Sequence, residues 1–228
     1  MEKYLYINYF DKLIKKIGIN MLNKIERQIL GLFLRNPSER KTMYSISNEL
    51  GKYFSQVQRG IKNLETNNIL SVERVGSKTS LCSVNFSKAD VDALCLASID
   101  LKKKFLDKNL KTELITQEIE EKLADELFVL VVFGSQVKGT SKKNSDIDLC
   151  FISQNPEILK DKLNAVLSSF SYKLHINIFT PKQFYEMLKL RSSVGREILN
   201  SSIVLKGHDL YYNLVKQYDK EYGYSKSD

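Results

Sequence analysis

The sequence predicts a mixed protein of the α+β or α/β class, built from two parts that differ in charge and in residue pattern. In residues 1–88, leucine and isoleucine recur at helical spacing, whereas residues 127–228 alternate short β-branched runs with amphipathic stretches. Residues 1–88 hold 15 Lys or Arg against seven Asp or Glu, and residues 89–228 hold 20 of each kind. The formal charge of +8 therefore belongs to the first part, which favours a polyanionic partner for it.

Three helices are predicted in the first part. The first ends near Asn36, and the second has Thr42 as its amino-terminal cap and Gly51 just beyond its end. The third is predicted to begin at Ser55, where Ser55 and Gln58 match a capping box. The apolar residues that set the helical spacing are Leu22, Ile25, Ile29, Leu30, Leu32, Phe33, Ile46, Leu50, Val57, Ile61 and Leu64.

The outer face of the third helix is rich in hydrogen-bond donors, the residue types that contact base edges and phosphates in the major groove of DNA. Two strands, at 70–75 and 81–86, are predicted to follow and to enclose a hairpin turn at 76–79. Further basic residues lie on the first strand and near the hairpin tip. The candidate DNA contacts are Gln56, Arg59, Lys62, Asn63, Arg74 and Lys78.

This order of three helices and a hairpin resembles the winged helix-turn-helix of bacterial and archaeal transcription regulators. The resemblance depends on the order of the elements and on the short turn before the third helix. It implies a winged helix-turn-helix DNA-binding domain over residues 1–88 and a role in transcription regulation. Modules of this shape also serve in protein contacts alone, and that alternative stays open.

Residues 89–126 predict a helical connector in two pieces, the first apolar and the second more charged. Such a connector would pack on the sheet that follows or form the seam of a homodimer. The sequence does not choose between these two arrangements.

The run from Leu127 to Phe133 is short, β-branched and aromatic, and it predicts a buried strand too short to cross a membrane. Gly134 follows, where the missing Cβ allows backbone to approach a ligand, and Ser135 adds a hydroxyl and a free N–H. This bend is interpreted as a seat for phosphate. Side chains of the loop that follows complete the candidate nucleotide-binding residues, namely Lys138, Lys142, Lys143 and Ser145.

Two carboxylates, Asp146 and Asp148, introduce the next strand. Side chains on a strand alternate between its faces, so both acids point to one side while Ile147 points into the core. Neighbouring carboxylates repel each other unless a cation lies between them. Carboxylate and triphosphate oxygens suit Mg²⁺, which commonly keeps one or two protein carboxylates.

Phe133-Gly134-Ser135, Gly139 and Ser145-Asp146-Ile147-Asp148-Leu149 resemble the signature of the nucleotidyltransferase domains related to DNA polymerase beta, especially the minimal nucleotidyltransferases. The resemblance implies a small mixed sheet flanked by helices in a nucleotidyltransferase domain over residues 127–228. It also implies Mg²⁺ on Asp146 and Asp148, an ATP or other nucleoside triphosphate on Gly134 and Ser135, and transfer of a nucleoside monophosphate, commonly AMP, to a hydroxyl.

A later strand at 173–180 alternates cleanly, with His175 and Asn177 on its polar face. The family's third carboxylate, which completes the metal site and can act as base, aligns with Asn177. An amide carries no charge and cannot accept a proton from the nucleophile. His175 is a candidate substitute base, because imidazole titrates near neutral pH.

Two functions remain. The first is a DNA-binding enzyme that transfers AMP from Mg-ATP to a protein or RNA hydroxyl; its resemblance to minimal nucleotidyltransferases implies a HEPN-type protein partner, as in toxin–antitoxin pairs. The second is a regulator whose transferase domain only senses nucleotide. The three cysteines show no paired spacing, and the amino terminus shows no signal peptide, so we expect a cytoplasmic chain without a membrane anchor.

Overall fold

The computed structural model describes residues 22–75, 79–142, 145–168, 170 and 173–223. The amino-terminal part contains three helices and a small antiparallel sheet of three strands in the order β1-β3-β2. The elements follow the predicted order, although β3 begins and ends two residues before the predicted span of 81–86. They are α1 (Lys24–Arg35), β1 (Lys41–Thr42), α2 (Met43–Leu50), α3 (Phe54–Thr66), β2 (Leu70–Val75) and β3 (Thr79–Val84).

The ends of these helices test the capping predictions. The Thr42 hydroxyl accepts a hydrogen bond from the Ser45 amide at 3.1 Å, and Gly51 ends α2 with a left-handed φ of 60°, as predicted. The predicted capping box at Ser55 is wrong. Helix α3 begins one residue earlier, at Phe54, because the carbonyl of extended Tyr53 already accepts from the Val57 amide.

Helix α4 (Val91–Leu106) joins the two parts of the molecule. It packs against α1 on one side and against the last strand and last helix of the carboxyl-terminal part on the other. Small buried residues on α4, Ala93 and Ala97, keep its surface flat, so that neighbouring helices approach closely. The first half of the predicted connector therefore packs on the sheet region and on the amino-terminal part together.

The carboxyl-terminal part is built on a four-stranded sheet in the order β6-β5-β4-β7. Strands β5 and β6 run parallel, and the other neighbours run antiparallel. Helices cover both faces. The elements are α5 (Leu110–Lys122), β4 (Val129–Phe133), α6 (Ser135–Lys138), β5 (Ile147–Ile152), α7 (Pro156–Leu167), β6 (Leu174–Phe179), α8 (Pro181–Lys189), α9 (Ser193–Asn200), β7 (Ser202–Lys206) and α10 (His208–Tyr222).

Each face of the sheet contributes to its own hydrophobic core. One core contains Leu130, Val132 and Leu149 with residues of α5 and α7. The other joins Val131 and Cys150 to α8, α9 and α10, and continues without a break into the core of the amino-terminal part. The strand predicted at 127–133 is shorter in the structure, where it is β4. Leu127, the first residue of the predicted strand, is 91% exposed and lies before β4. Within the described residues, no helix is long and apolar enough to span a membrane.

Candidate active site

The bend after β4 has the geometry that the sequence motif predicts. Gly134 has φ 72° and ψ −147°, a conformation that side-chain-bearing residues rarely adopt. The short helix α6 starts at Ser135, and Gly139 ends it in a left-handed conformation. A glycine on each side thus lets the chain leave the sheet, turn once and continue into the loop.

Asp148 lies directly over this bend. Strands β4 and β5 pair so that Phe133 is opposite Asp148. A Cβ added to Gly134 would lie 2.3 Å from Asp148 Oδ2, much closer than any real contact. Residue 134 therefore has no room for a side chain, because the Asp148 carboxylate occupies the space that a Cβ would need.

The two acids flank Ile147, the residue at which β5 begins. Asp146 is exposed just before β5, Ile147 is buried, and the Asp148 side chain is 22% exposed. Within the described part of the chain, no group of three or more His, Cys, Asp or Glu side chains is arranged to hold a metal ion. Two accessible carboxylates still suit Mg²⁺, which keeps several water or phosphate oxygens in its octahedral shell.

The parallel pairing of β5 with β6 determines which residues of β6 lie near the acids. His175 is the register partner of Asp148, and its Nδ1 is 3.2 Å from Asp148 Oδ1. The imidazole is 62% exposed, so its other nitrogen is accessible to a ligand. Asn177 pairs with Cys150, which lies two residues beyond Asp148 on β5. The Nδ2 atom of Asn177 is buried and has no hydrogen-bond partner among the described residues.

The candidate nucleotide-binding side chains beyond Ser135 differ in their contacts. Lys138 Nζ is 2.9 Å from Glu197 Oε1 on α9, so its ammonium is already paired with a carboxylate. The Ser145 hydroxyl accepts from the Lys142 amide at 2.7 Å, and the Lys142 side chain is exposed. Lys143 lies outside the described residues.

Two hydrogen bonds that no sequence pattern indicated join the amino-terminal part to α6 and α9. The Arg35 guanidinium, at the end of α1, donates to the carbonyl of Val137. Ser38 Oγ donates to Asn200 Oδ1 of α9 at 2.9 Å. These pairs are separated by 102 and 162 residues, so no local pattern could have indicated them.

The cysteines of this chain are poor candidates for reactive groups. Burial raises the pKa of the Cys150 thiol strongly, and burial also raises the pKa of Cys82 to about 11. Thiols with raised pKa values stay protonated and are poor nucleophiles. Cys150 therefore contributes packing beneath the acids and is not a candidate reactive group.

The candidate DNA contacts lie mostly on the surface of the amino-terminal part. Arg59, Lys62 and Arg74 are exposed, and Gln56 is partly buried beside Arg59. Asn63 differs, because its amide donates to the buried Glu26 of α1 at 2.7 Å. That side chain ties α3 to α1. Lys78 lies outside the described residues.

Comparison with known proteins identifies the region that contains the acids. Residues 113–205 match the model of the nucleotidyltransferase domain family, a span that begins within α5 and ends in β7. Over 66 residues, 27% of this chain, the sequence is 35% identical to a protein of Methanocaldococcus jannaschii named "Putative protein adenylyltransferase". The chain spans 45% of that relative's length. No solved structure matched the chain. The four-stranded sheet and its acid pair thus lie in the part of the chain that is similar to nucleotidyltransferase domains.

Proposed function

We propose that this chain binds Mg-ATP on the side of the sheet that carries Asp146 and Asp148 and transfers AMP to a hydroxyl of a protein or RNA. The observation that carries the proposal is the close approach of the Asp148 carboxylate to the bend at Gly134. A metal on that carboxylate and a phosphate on that bend would be neighbours. The name of the archaeal relative, a protein adenylyltransferase, favours AMP as the transferred group and a protein as acceptor.

In the proposed reaction the acceptor oxygen attacks the α-phosphorus of ATP. The bond from that phosphorus to the bridging oxygen breaks, and pyrophosphate leaves with the bonding electrons. Reactions of this type depend mainly on positioning and on neutralisation of charge. Bound Mg²⁺ would supply that neutralisation. The protein's own part is to hold Asp148 beside the bend, and the pairing of β4 with β5 supports this role.

His175 is the residue that we propose to take the proton of the acceptor. When its Nδ1 donates to Asp148, its exposed Nε2 has a free lone pair on the same side of the sheet. Positioned proton transfer is typically worth about 10²–10⁴ in rate. If the alternative holds and the domain is a nucleotide sensor, His175 only orients Asp148 and no transfer occurs.

Label transfer from ATP labelled at the α-phosphate tests the proposal. With Mg²⁺, the wild-type chain should label itself or a protein that co-purifies with it, and Asp146→Asn or Asp148→Asn should abolish the labelling. Asp161→Asn is the matched control, because Asp161 is an exposed carboxylate on α7. Mg-dependent ATP binding without labelling of any protein or RNA acceptor would support the sensor and contradict the enzyme.

We further propose that the amino-terminal part is a winged helix-turn-helix that binds DNA. The support is the formal charge of +8 in residues 1–88, the exposed Arg59 and Lys62 on α3, and the β2–β3 hairpin beside them. Phosphate contacts by basic side chains dominate such affinity and make it fall with salt. An HEPN-type protein partner and a homodimer are further proposals, which size measurement of the purified chain with and without co-expressed neighbours would test.

A further inference from the structure

A cavity of about 560 Å³ lies where the two parts of the molecule meet. Its walls come from α1, α2 and α4, from Gln136 of α6 and the loop that follows, including Gly139, and from Ile203 of β7. It adjoins α6, but none of Gly134, Ser135, Asp146 or Asp148 lines it. Its size falls within the range of about 300–1,000 Å³ typical of small-molecule sites.

We call this cavity the junction cavity. Of the charged side chains that line it, both acids are paired, whereas two lysines are not paired with any described residue. Its two acids are already neutralised: Asp100 accepts from Arg27 Nε at 2.8 Å, and Glu49 accepts from a lysine outside the cavity lining, Lys41, also at 2.8 Å. Lys104, in the last turn of α4, and Lys108, just beyond the end of that helix, are exposed at the rim. Within the part of the chain that the structure describes, neither ammonium has a hydrogen-bond or ion-pair partner. The cavity is therefore electropositive.

Part of the wall is apolar, and one polar side chain on it has an atom left unsatisfied by the described residues. Leu32, Leu101 and Phe105 line the cavity. Gln28 also lines it, and its Oε1 atom is buried with no hydrogen-bond partner among the described residues. Buried polar atoms of native proteins are normally hydrogen-bonded, so a donor that reached this acceptor from the cavity would satisfy it.

We propose that the junction cavity binds a small organic anion. Its anionic group would lie between Lys104 and Lys108, its apolar ring or chain against Leu101 and Phe105, and an N–H or O–H would donate to Gln28. Such a ligand would contact α1, α4 and the loop after α6 at once, and would stabilise the junction by mass action. The proposal does not depend on the transferase activity.

The probe 8-anilinonaphthalene-1-sulfonate combines the three required features, namely a sulfonate, aromatic rings and one N–H. Fluorescence titration of the full chain should give saturable binding at one site, with a raised melting temperature. The double variant Lys104→Gln, Lys108→Gln should weaken the affinity by about tenfold or more, because two charge-assisted contacts are lost. Gln28→Leu should weaken it several-fold.

Two controls make the result specific. Lys103→Gln changes a neighbouring exposed lysine that lines a different cavity, and it should leave the affinity unchanged. Asp148→Asn should also bind the probe as the wild type does, because Asp148 is not in the junction cavity. Equal affinities of the double variant and Lys103→Gln, or no saturable binding to a folded wild-type chain, would overturn the proposal.

Discussion

The two parts of this molecule present their candidate functional groups in different ways. In the sheet region, Asp148 and the bend at Gly134 are held against each other by strand pairing, with no space for one added carbon. On α3, Arg59 and Lys62 are exposed side chains, and the contact that Arg59 Nε makes with the Ser55 carbonyl at 3.4 Å lies within the helix itself. A site built on backbone geometry should fail after a single small change, whereas a surface that acts through summed charge should weaken in steps.

The largest effect is expected from Gly134→Ala. The added methyl would collide with Asp148 Oδ2, and the residue would also have to keep φ 72°. Moving a catalytic group by about 1 Å can cost about 10² in rate, so we expect a loss of at least that size in label transfer or a matching loss of Mg-ATP affinity.

Gly139→Ala is the control for this variant. Its φ of 73° is nearly identical, but nothing lies within 4 Å of the added Cβ. It should lose stability on the order of 1 kcal/mol through backbone strain alone and keep most of its activity. Equal losses of activity in the two folded variants, compared at matched fractions of folded protein from thermal melting, would show that Asp148 does not need the bend.

A smaller effect, on the pH dependence of stability, should come from His208, where α10 begins after β7. Burial lowers the pKa of His208 to about 4, and the nearby Lys102 ammonium adds to the shift, while Asp209 opposes it. As the pH falls below 6.5, the ordinary pKa of histidine, His208 is protonated in the unfolded chain. In the folded chain it stays neutral until about pH 4. Stability should therefore fall by on the order of 2 kcal/mol as pH drops through this window.

Urea unfolding at pH 7 and pH 4.5 measures this loss. His208→Gln should lose less stability between the two conditions than the wild type does. Other groups titrate in both proteins, so the informative quantity is the difference between the stability losses of the wild type and the variant. Equal losses in the two proteins would mean that His208 is hydrated in the folded chain.

The smallest of these effects should come from Arg59→Ala in DNA binding. Removing one of several phosphate contacts should weaken binding several-fold and reduce the slope of log affinity against log salt by about one. The matched control is Arg196→Ala, an exposed arginine on α9 in the other part of the chain. Loss of all binding in Arg59→Ala would point to a specific base contact, and unchanged binding would leave α3 out of the interface.

The elements and faces of this fold were largely predictable because they depend on local patterns. Alternation placed Leu174, Ile176 and Ile178 of β6 against one core and His175 and Asn177 on the opposite face. The caps of α2 followed from Thr42 and Gly51. The start of α3 was wrong by one residue because an extended Tyr53, without a side-chain cap, already begins the helical hydrogen bonds.

The arrangement of the site was less predictable because it depends on pairing between distant segments. The motif indicated that Gly134 and Asp148 are functional, but only the β4–β5 register brings one over the other. Likewise, the resemblance to the family pointed to Asn177, whereas the β5–β6 register puts His175 beside Asp148. Lys138 looked like a phosphate ligand, and its partner Glu197 comes from a helix 59 residues later.

Isothermal titration calorimetry with ATP, with and without Mg²⁺, tests whether the acid pair forms a metal–nucleotide site. We expect Mg²⁺ to raise the affinity of the wild-type chain for ATP by about tenfold or more, because Asp146 and Asp148 would hold the metal, which would neutralise phosphate charge. Asp148→Asn should lose this dependence on Mg²⁺, while Asp161→Asn keeps it. Equal ATP affinity with and without Mg²⁺ in the wild type, or an unchanged dependence in Asp148→Asn, would contradict a metal–nucleotide site at this acid pair.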